Sequence, residues 1–417
     1  MRDNSSNFTI KNFIISYVIL YSIMPIVQRL TSNYLTAYFY MAIVVALVLM
    51  ILLFDQSENF NEYLTFLLPF IIYGALTFFT TRSDVILWGY QTLLFWLPVI
   101  LGYYFTQDTS HTLTIYPKLI FFAVVVTMIT TIIGCIQNPS AARILATTAD
   151  SQDSVAVSYD MQNIGGFGFV YSMVLLYPVL ILAYKTKRIR LLPTIVIAAV
   201  VLFTIIYSEY TTALLLFVLS SFLFLTNRNL SARGIILVSI FAVLFLVIFP
   251  NVITDFLNWL SGTVGSETMS VRLDALSGGT AGLENSEDNR LELYNLSLNR
   301  FFSYPLFGDL LESRKISGGH SFILDNLASY GLMGGVLMCF MYKRVFTRFF
   351  SPFKDKPGYG YIVWIFIQTI ILSIVNTGMW LNALCLFVPL LLYWIYGTEE
   401  IKDEDTVDSQ LASGTAG

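Results

Sequence analysis

Charge is what this chain has least of. Only 12% of its 417 residues are Asp, Glu, Lys or Arg, about half the share of an average soluble domain. A soluble globular fold of this length is therefore excluded. Ten-residue alternation is also missing, which argues against a membrane barrel. Histidine is reduced to His111 and His320, and cysteine to Cys135, Cys339 and Cys385. Each cysteine sits inside an apolar run, so neither a disulfide framework nor a thiolate metal set is implied. No Ser/His/Asp order, phosphate-cradling glycine loop or zinc spacing is present. The net charge of −4 comes without a basic block, so nucleic acid is not an expected partner. No cleavable leader is expected either, because the run after Arg2 and Lys11 is long enough to span and lacks a small-residue cleavage site.

What is there is apolar sequence. It makes up 56% of the chain, with a mean hydropathy of +0.71, and falls into runs of roughly 20 residues that cross a bilayer as helices. The reading is an all-α integral membrane protein with about twelve spans. The first nine are Phe13 to Gln28, Tyr34 to Phe54, Tyr63 to Thr80, Val85 to Thr106, Tyr116 to Ile136, Ile164 to Tyr184, Leu191 to Tyr207, Tyr210 to Thr226 and Gly234 to Phe249. The last three are Phe322 to Met341, Tyr361 to Asn376 and Leu381 to Ile395. The division is thus 1–250 for the first nine spans with an outward loop at 137–163, 251–321 for a long outward loop, 322–396 for the last three spans, and 397–417 for a cytoplasmic tail.

Loop charges orient the bundle. With both termini inside, the Lys185 to Arg190 cluster, Arg228, Arg233, Lys343, Arg344, Arg348, Lys354 and Lys356 all face the cytoplasm, as cationic loop residues do. The short outward loops keep Arg29, Arg82 and Arg143. The outward segment from Asn251 to Ser321 is far longer than an ordinary connection, which marks it as functional or unstructured. Within it Leu291, Tyr294, Leu298 and Phe301 recur at helical spacing; Asp288 or Asn289 can cap the start and Pro305 stops it. An amphipathic helix with its apolar side on the bilayer is expected there.

Chemistry-bearing residues concentrate at the same place. His320 follows Gly318 and Gly319, where the loop enters a span, and Ser321, Asp325 and Ser329 recur at i, i+4 and i+8. Polar groups in such a segment face either a cavity or partner helices, because lipid leaves them unsatisfied. Arg272, Arg290, Arg300, Arg314 and Lys315 share the long loop with nine carboxylates, so each arginine reads equally as a surface ion pair or as part of a phosphate site. Guanidinium suits bidentate phosphate contact. Glu209, at a tight outward turn, reads either as a sugar ligand or as a structural partner. His111 and the acidic run Asp403 to Asp405 are weaker candidates, and no metal site is expected.

Three sequence pieces resemble the O-antigen polymerase and O-antigen ligase superfamily of Wzy and WaaL type. Arg290-Leu-Glu-Leu-Tyr leading to Tyr304-Pro-Leu-Phe-Gly308 is similar to the family's arginine, aromatic and Pro-Leu-x-Gly run. His320-Ser321, nine residues and Gly331 resemble its His-[Asn/Ser/Gln]-x9-Gly signature. Arg143 followed by Asn163-Ile-Gly-Gly166 is similar to its first outward loop. There is one departure: where many members carry a Ser-Arg-Thr-Ala-like string, this chain reads Ser208-Glu209-Tyr210-Thr211-Thr212-Ala213 without arginine. That favours the polymerase branch and leaves one phosphate role to Arg143, Arg272 or Arg314.

The resemblance implies a GT-C-like glycosyltransferase of the bacterial inner membrane, with no cofactor and no metal, acting on undecaprenyl-diphosphate-linked oligosaccharide at the extracytoplasmic face. His320 and Arg290 are its implied catalytic residues, and Arg272, Arg143, Arg314, Asn163, Asp325 and Glu209 its implied substrate contacts. A chain-length regulator and a flippase of the same pathway are the implied partners besides the bilayer. Two other readings stand beside it: ligation of the glycan to a lipid A core, and a twelve-span flippase. Transporters place ionisable groups near the bilayer midplane and have related halves, whereas here the polar residues gather in one loop.

Overall fold

A computed structural model of the chain describes residues 10–34, 60–80, 96–106, 115–139, 141–147, 153–225, 234, 290–308, 318–378 and 380–397. Every regular element among them is helical. They comprise α1 (Ile10–Ile23), α2 (Pro25–Tyr34), α3 (Phe60–Thr80), α4 (96–106), α5 (Ile115–Gln137), α6 (Ala141–Thr147), α7 (Ser154–Met161), α8 (Phe167–Lys185), α9 (Leu191–Tyr207), α10 (Thr211–Phe224), α11 (Arg290–Ser303), α12 (Phe322–Val345), α13 (Tyr359–Val375) and α14 (Val388–Tyr396). Two π-helical stretches, Phe346–Phe350 and Asn382–Phe387, continue α12 and precede α14.

Among the described residues, three helical stretches are long and apolar enough to cross a membrane: Ile115–Gln137, Phe167–Lys185 and Phe322–Phe353. Shorter apolar helices, among them α9 and α13, pack beside them. Phe121, Phe122, Ile129 and Ile133 on α5 and Leu332, Val336 and Phe340 on α12 all point outward. On a soluble protein such belts would be an aggregation liability; against hydrocarbon they are the favourable surface. The structure is that of a helical membrane protein. The expected spans at 164–184, 191–207 and 210–226 coincide with α8, α9 and α10. Those at 34–54 and 234–249 lie outside the described residues apart from one residue each, and of 85–106 only 96–106 is described.

The first expected span, Phe13 to Gln28, is not one straight helix. The chain turns by 114° between Asn12–Ile23 and Pro25–Thr31, because Pro25 has no N–H to continue α1 and is well suited to open a new helix. The redirected α2 packs on α7.

Hydrogen bonds between helix ends sort the bundle into two poles. At one pole Lys185 Nζ donates to the Phe224 carbonyl at 2.7 Å and Arg188 Nε to the Ile395 carbonyl at 2.7 Å. These cations meet carbonyls that the last turns of α10 and α14 leave unsatisfied. Arg348 joins Thr106 and Glu62 there. At the other pole Tyr73 Oη donates to Asn326 Oδ1 at 2.7 Å and Tyr210 Oη to the Ala142 carbonyl at 2.9 Å. His320 lies at this second pole.

Candidate functional site

Two helices and the turn between them build the site. α12 begins at Ser321, whose Oγ accepts from the Leu324 N–H at 3.1 Å and caps the helix. The Phe322 N–H, another donor of the first turn, reaches the Asn376 carbonyl at 2.8 Å. Asp325, one turn in, organises the approach: its Oδ1 accepts from Ser297 Oγ at 2.7 Å and the Gly319 N–H at 3.2 Å, and its Oδ2 from the Ser321 N–H at 3.1 Å. Ser297, the most buried described position of α11, also accepts from the Gly318 N–H at 2.9 Å. The Gly318-Gly319-His320 turn is thereby stitched to both helices.

Glycine is required in that turn for two reasons. A side chain at Gly318 would run into the Leu293 backbone carbonyl, and Gly319 has φ +72°. His320 itself is half-buried, and among the described residues its imidazole has no hydrogen-bond partner. Position 290 begins α11, one turn from Leu293 and two turns from Ser297 on the same helical face, a rise of about 10 Å. The turn carrying His320 therefore crosses α11 beside the helix end that carries Arg290.

A second crossing lies beneath the first. α12 is broken at Gly331 (φ +61°, ψ −154°), and the turn 304–308 lodges in the break. The Leu332 N–H donates to the Pro305 carbonyl at 2.8 Å and the Met333 N–H to the Leu306 carbonyl at 3.2 Å. These are the donors that a helix restarting at Leu332 would leave unmatched. The contact is reciprocal: a Cβ on Gly331 would stand 2.5 Å from the Leu306 carbonyl carbon, and one on Gly308 2.3 Å from that of Ser329. The two pieces that carry the family resemblance, Tyr304–Gly308 and His320–Gly331, are each other's packing partners.

The remaining candidates distribute as follows. Arg143 leans over the Tyr210 ring, 5.5 Å from its centroid, in the same turn where the family string has an arginine and this chain has Glu209. Glu209 is 3% exposed with φ +59° and within electrostatic reach of Cys135. The Tyr210 ring touches Phe167 and Tyr171, which both meet Trp380. Asn163 is 4% exposed and fastened inside the protein. Its Nδ2 donates to Thr127 and Thr130 Oγ1 at 3.1 Å each, and its Oδ1 accepts from the Ile26 N–H at 3.3 Å. In place of the expected substrate contact, the structure gives Asn163 the task of tying α2 to α5. Asp325 likewise holds the histidine turn. Arg272 and Arg314 lie outside the described residues, as do His111 and Asp403 to Asp405.

Three features escaped sequence reasoning. Ser297 was readable as a small polar residue on the inward face of an amphipathic helix. That face packs on protein, with Tyr294 Oη donating to the Val375 carbonyl at 3.0 Å, so the bilayer-facing role is corrected: the exposed large apolar residues described in α11 and the following turn are Leu296, Phe302, Tyr304, Leu306 and Phe307. Asn376 Nδ2 and Trp380 Nε1, on the turn after α13, are buried donors without a partner among the described residues. Nothing in the spacing marks them, because burial comes from helices distant in sequence. No group of three or more His, Cys, Asp and Glu side chains clusters among the described residues.

The Asp325 arrangement carries a stability prediction. Asp325→Ala removes the acceptor of the buried Ser297 hydroxyl and of the Ser321 N–H, each costing about 1–3 kcal/mol when unsatisfied, while the exposed Gly319 N–H turns to water. A drop of several degrees in the thermal midpoint of the detergent-solubilised protein is expected; an unchanged midpoint would mean that water replaces the carboxylate without loss. In comparison with known proteins, no family model matches the chain and no curated protein is significantly similar to it.

Proposed function

We propose that the chain is a membrane glycosyltransferase that polymerises polyprenyl-diphosphate-linked repeat units at the extracytoplasmic face. The observation that carries this reading is the Gly318–His320 turn, clamped by Ser297 and Asp325 across the helix that begins at Arg290, with an imidazole that has no hydrogen-bond partner among the described residues. A base held by its backbone while its side chain is free is what general-base chemistry asks of an imidazole, whose near-neutral ordinary pKa suits the task.

The reaction balances on these residues. The acceptor hydroxyl oxygen bonds to the anomeric carbon of the donor and its proton passes to His320. The anomeric C–O bond to phosphate breaks, and polyprenyl diphosphate departs with the electron pair. Attack from the opposite side inverts the anomeric centre. Diphosphate is a competent leaving group once its developing charge is neutralised, which fixed guanidinium groups supply. Arg290 takes that role. Arg143, poised over Tyr210, is a further cation of this pole, and Asn376 Nδ2 and Trp380 Nε1 are buried donors without a partner among the described residues. The cation-rich opposite pole supports a cytoplasmic assignment of that side by the loop-charge rule, and with it an extracytoplasmic His320; the apolar runs of the sequence support about twelve spans.

The deciding experiment incubates purified protein with a defined diphosphate-linked repeat unit and separates the products. A ladder supports polymerisation. A single product on a lipid A core means ligation instead, and unchanged glycan moved across a vesicle membrane means transport. In the same assay Arg290→Lys is expected to lose about 10- to 100-fold, the worth of one charge-assisted hydrogen bond. Full activity with lysine would reduce the role to charge alone.

A further inference from the structure

At the pole opposite His320, an open cavity of about 440 Å³ lies where α3, α4 and the end of α12 meet. Arg348 stands on the π-helical turn Phe346–Phe350 that forms one wall; such turns are frequent at functional sites because the extra residue re-aims a side chain. Its guanidinium is held from three sides: Nε donates to Thr106 Oγ1 at 3.1 Å, Nη1 to Glu62 Oε1 at 3.2 Å, and the plane lies 4.2 Å above the Tyr103 ring centroid. A guanidinium has five N–H donors, so three stay unused among the described residues. Arg344, one turn earlier on the same wall, makes no hydrogen bond or ion pair to any described residue. Against two arginines the cavity sets one carboxylate, Glu62, which is mostly exposed and already engaged. The lining is net cationic.

The flanks are apolar. On α3 the positions Asn61, Thr65, Leu68 and Ile72 follow one another at i, i+4, i+7 and i+11, one face of a helix. The first two line the cavity and the last two are exposed. On α12, stepping back from Arg344 by fours gives Phe340, Val336 and Leu332, all exposed. The two helices pack side by side, so two outward apolar rows descend to one cationic cavity.

We propose that this cavity binds the phosphate headgroup of an anionic phospholipid from the adjoining leaflet, with Arg344 and Arg348 as its cationic contacts and the rows of α3 and α12 as the bed of its acyl chains. The charge fits a phosphodiester, the pre-held Arg348 fork fits its paired oxygens, and the apolar rows fit chains that a soluble anion lacks. The site is independent of the chemistry at the other pole.

Native mass spectrometry of the full chain, released from nanodiscs of phosphatidylglycerol or of phosphatidylcholine, tests it. Wild-type protein is expected to retain phosphatidylglycerol, and Arg344→Gln and Arg348→Gln to retain at least tenfold less. Arg348→Gln also removes three protein contacts and can fail to fold. Arg344 has no partner to lose among the described residues, so its variant decides the matter. Arg190→Gln, a basic substitution at the same pole but off the cavity, is expected to change nothing. Equal retention of both lipids, unchanged retention in Arg344→Gln, or an equal loss in Arg190→Gln would each overturn the proposal. So would displacement of the lipid by millimolar inorganic phosphate, which would make the site one for a soluble anion.

Discussion

Protein carrying His320→Ala is expected to fold and embed normally and to polymerise diphosphate-linked repeat units about 10²- to 10⁴-fold more slowly, the range for loss of a general base. Normal folding follows from the geometry. The turn is fixed through the Gly318, Gly319 and Ser321 N–H groups, none of which involves the imidazole, and His320 precedes the Ser321 cap rather than lying within α12. The loss follows from chemistry, since no other described side chain at this turn is an imidazole. His320→Gln separates the two roles an imidazole can play: it can still orient a hydroxyl but cannot take its proton. Recovery of most activity by glutamine would assign His320 to positioning. A wild-type ladder from the alanine variant would remove it from the mechanism altogether.

Gly331→Ala is expected to be among the most damaging single methyl additions in the described chain. At φ +61° and ψ −154° the backbone occupies a region open to little but glycine, which costs an L-residue about 1–3 kcal/mol. The added Cβ would also stand 2.5 to 2.6 Å from three backbone atoms of Leu306 and Phe307, and backbone cannot swing aside as a side chain does. Together the loss should exceed about 3 kcal/mol and appear as a collapse of the thermal midpoint or of folded yield. Gly319→Ala is the control: its φ of +72° carries conformational strain, but nothing lies within 4 Å of the new methyl. If both variants lowered stability equally, close packing at Gly331 would not matter.

Much of this architecture was readable from residue order. Apolar runs located α5, α8, α9 and α12, because each needs its own length of hydrocarbon-compatible surface, and the periodicity Leu291, Tyr294, Leu298, Phe301 located α11. The bend at Pro25 was a local signal passed over within an otherwise spanning run. The site was legible only as a neighbourhood. His320, Gly318 and Gly319 announced a special turn, yet Asp325 read as an available carboxylate when its oxygens were already taken by Ser297 and two N–H groups. Asn163 read as a ligand for the same reason, and Arg143 became associated with the turn of Glu209 only through the Tyr210 ring. Pattern gives the kind of side chain and the helix it rides on. Whether its polar atoms are already satisfied depends on partners as far away as the 137 residues between Ile26 and Asn163.

The lodging of the 304–308 turn in the break of α12 has a consequence for how such a protein can diversify. Gly308 and Gly318 are two fixed anchorages: the Gly308 N–H donates to the Tyr304 carbonyl at 3.0 Å and the Gly318 N–H to Ser297 Oγ at 2.9 Å, and a Cβ at either would run into backbone. Lengthening a flexible loop between fixed ends costs only about 0.6 kcal/mol per doubling. A chain lengthened between these two anchorages is thus expected to keep the histidine at its station, much as an interchangeable tool is fitted to a fixed handle.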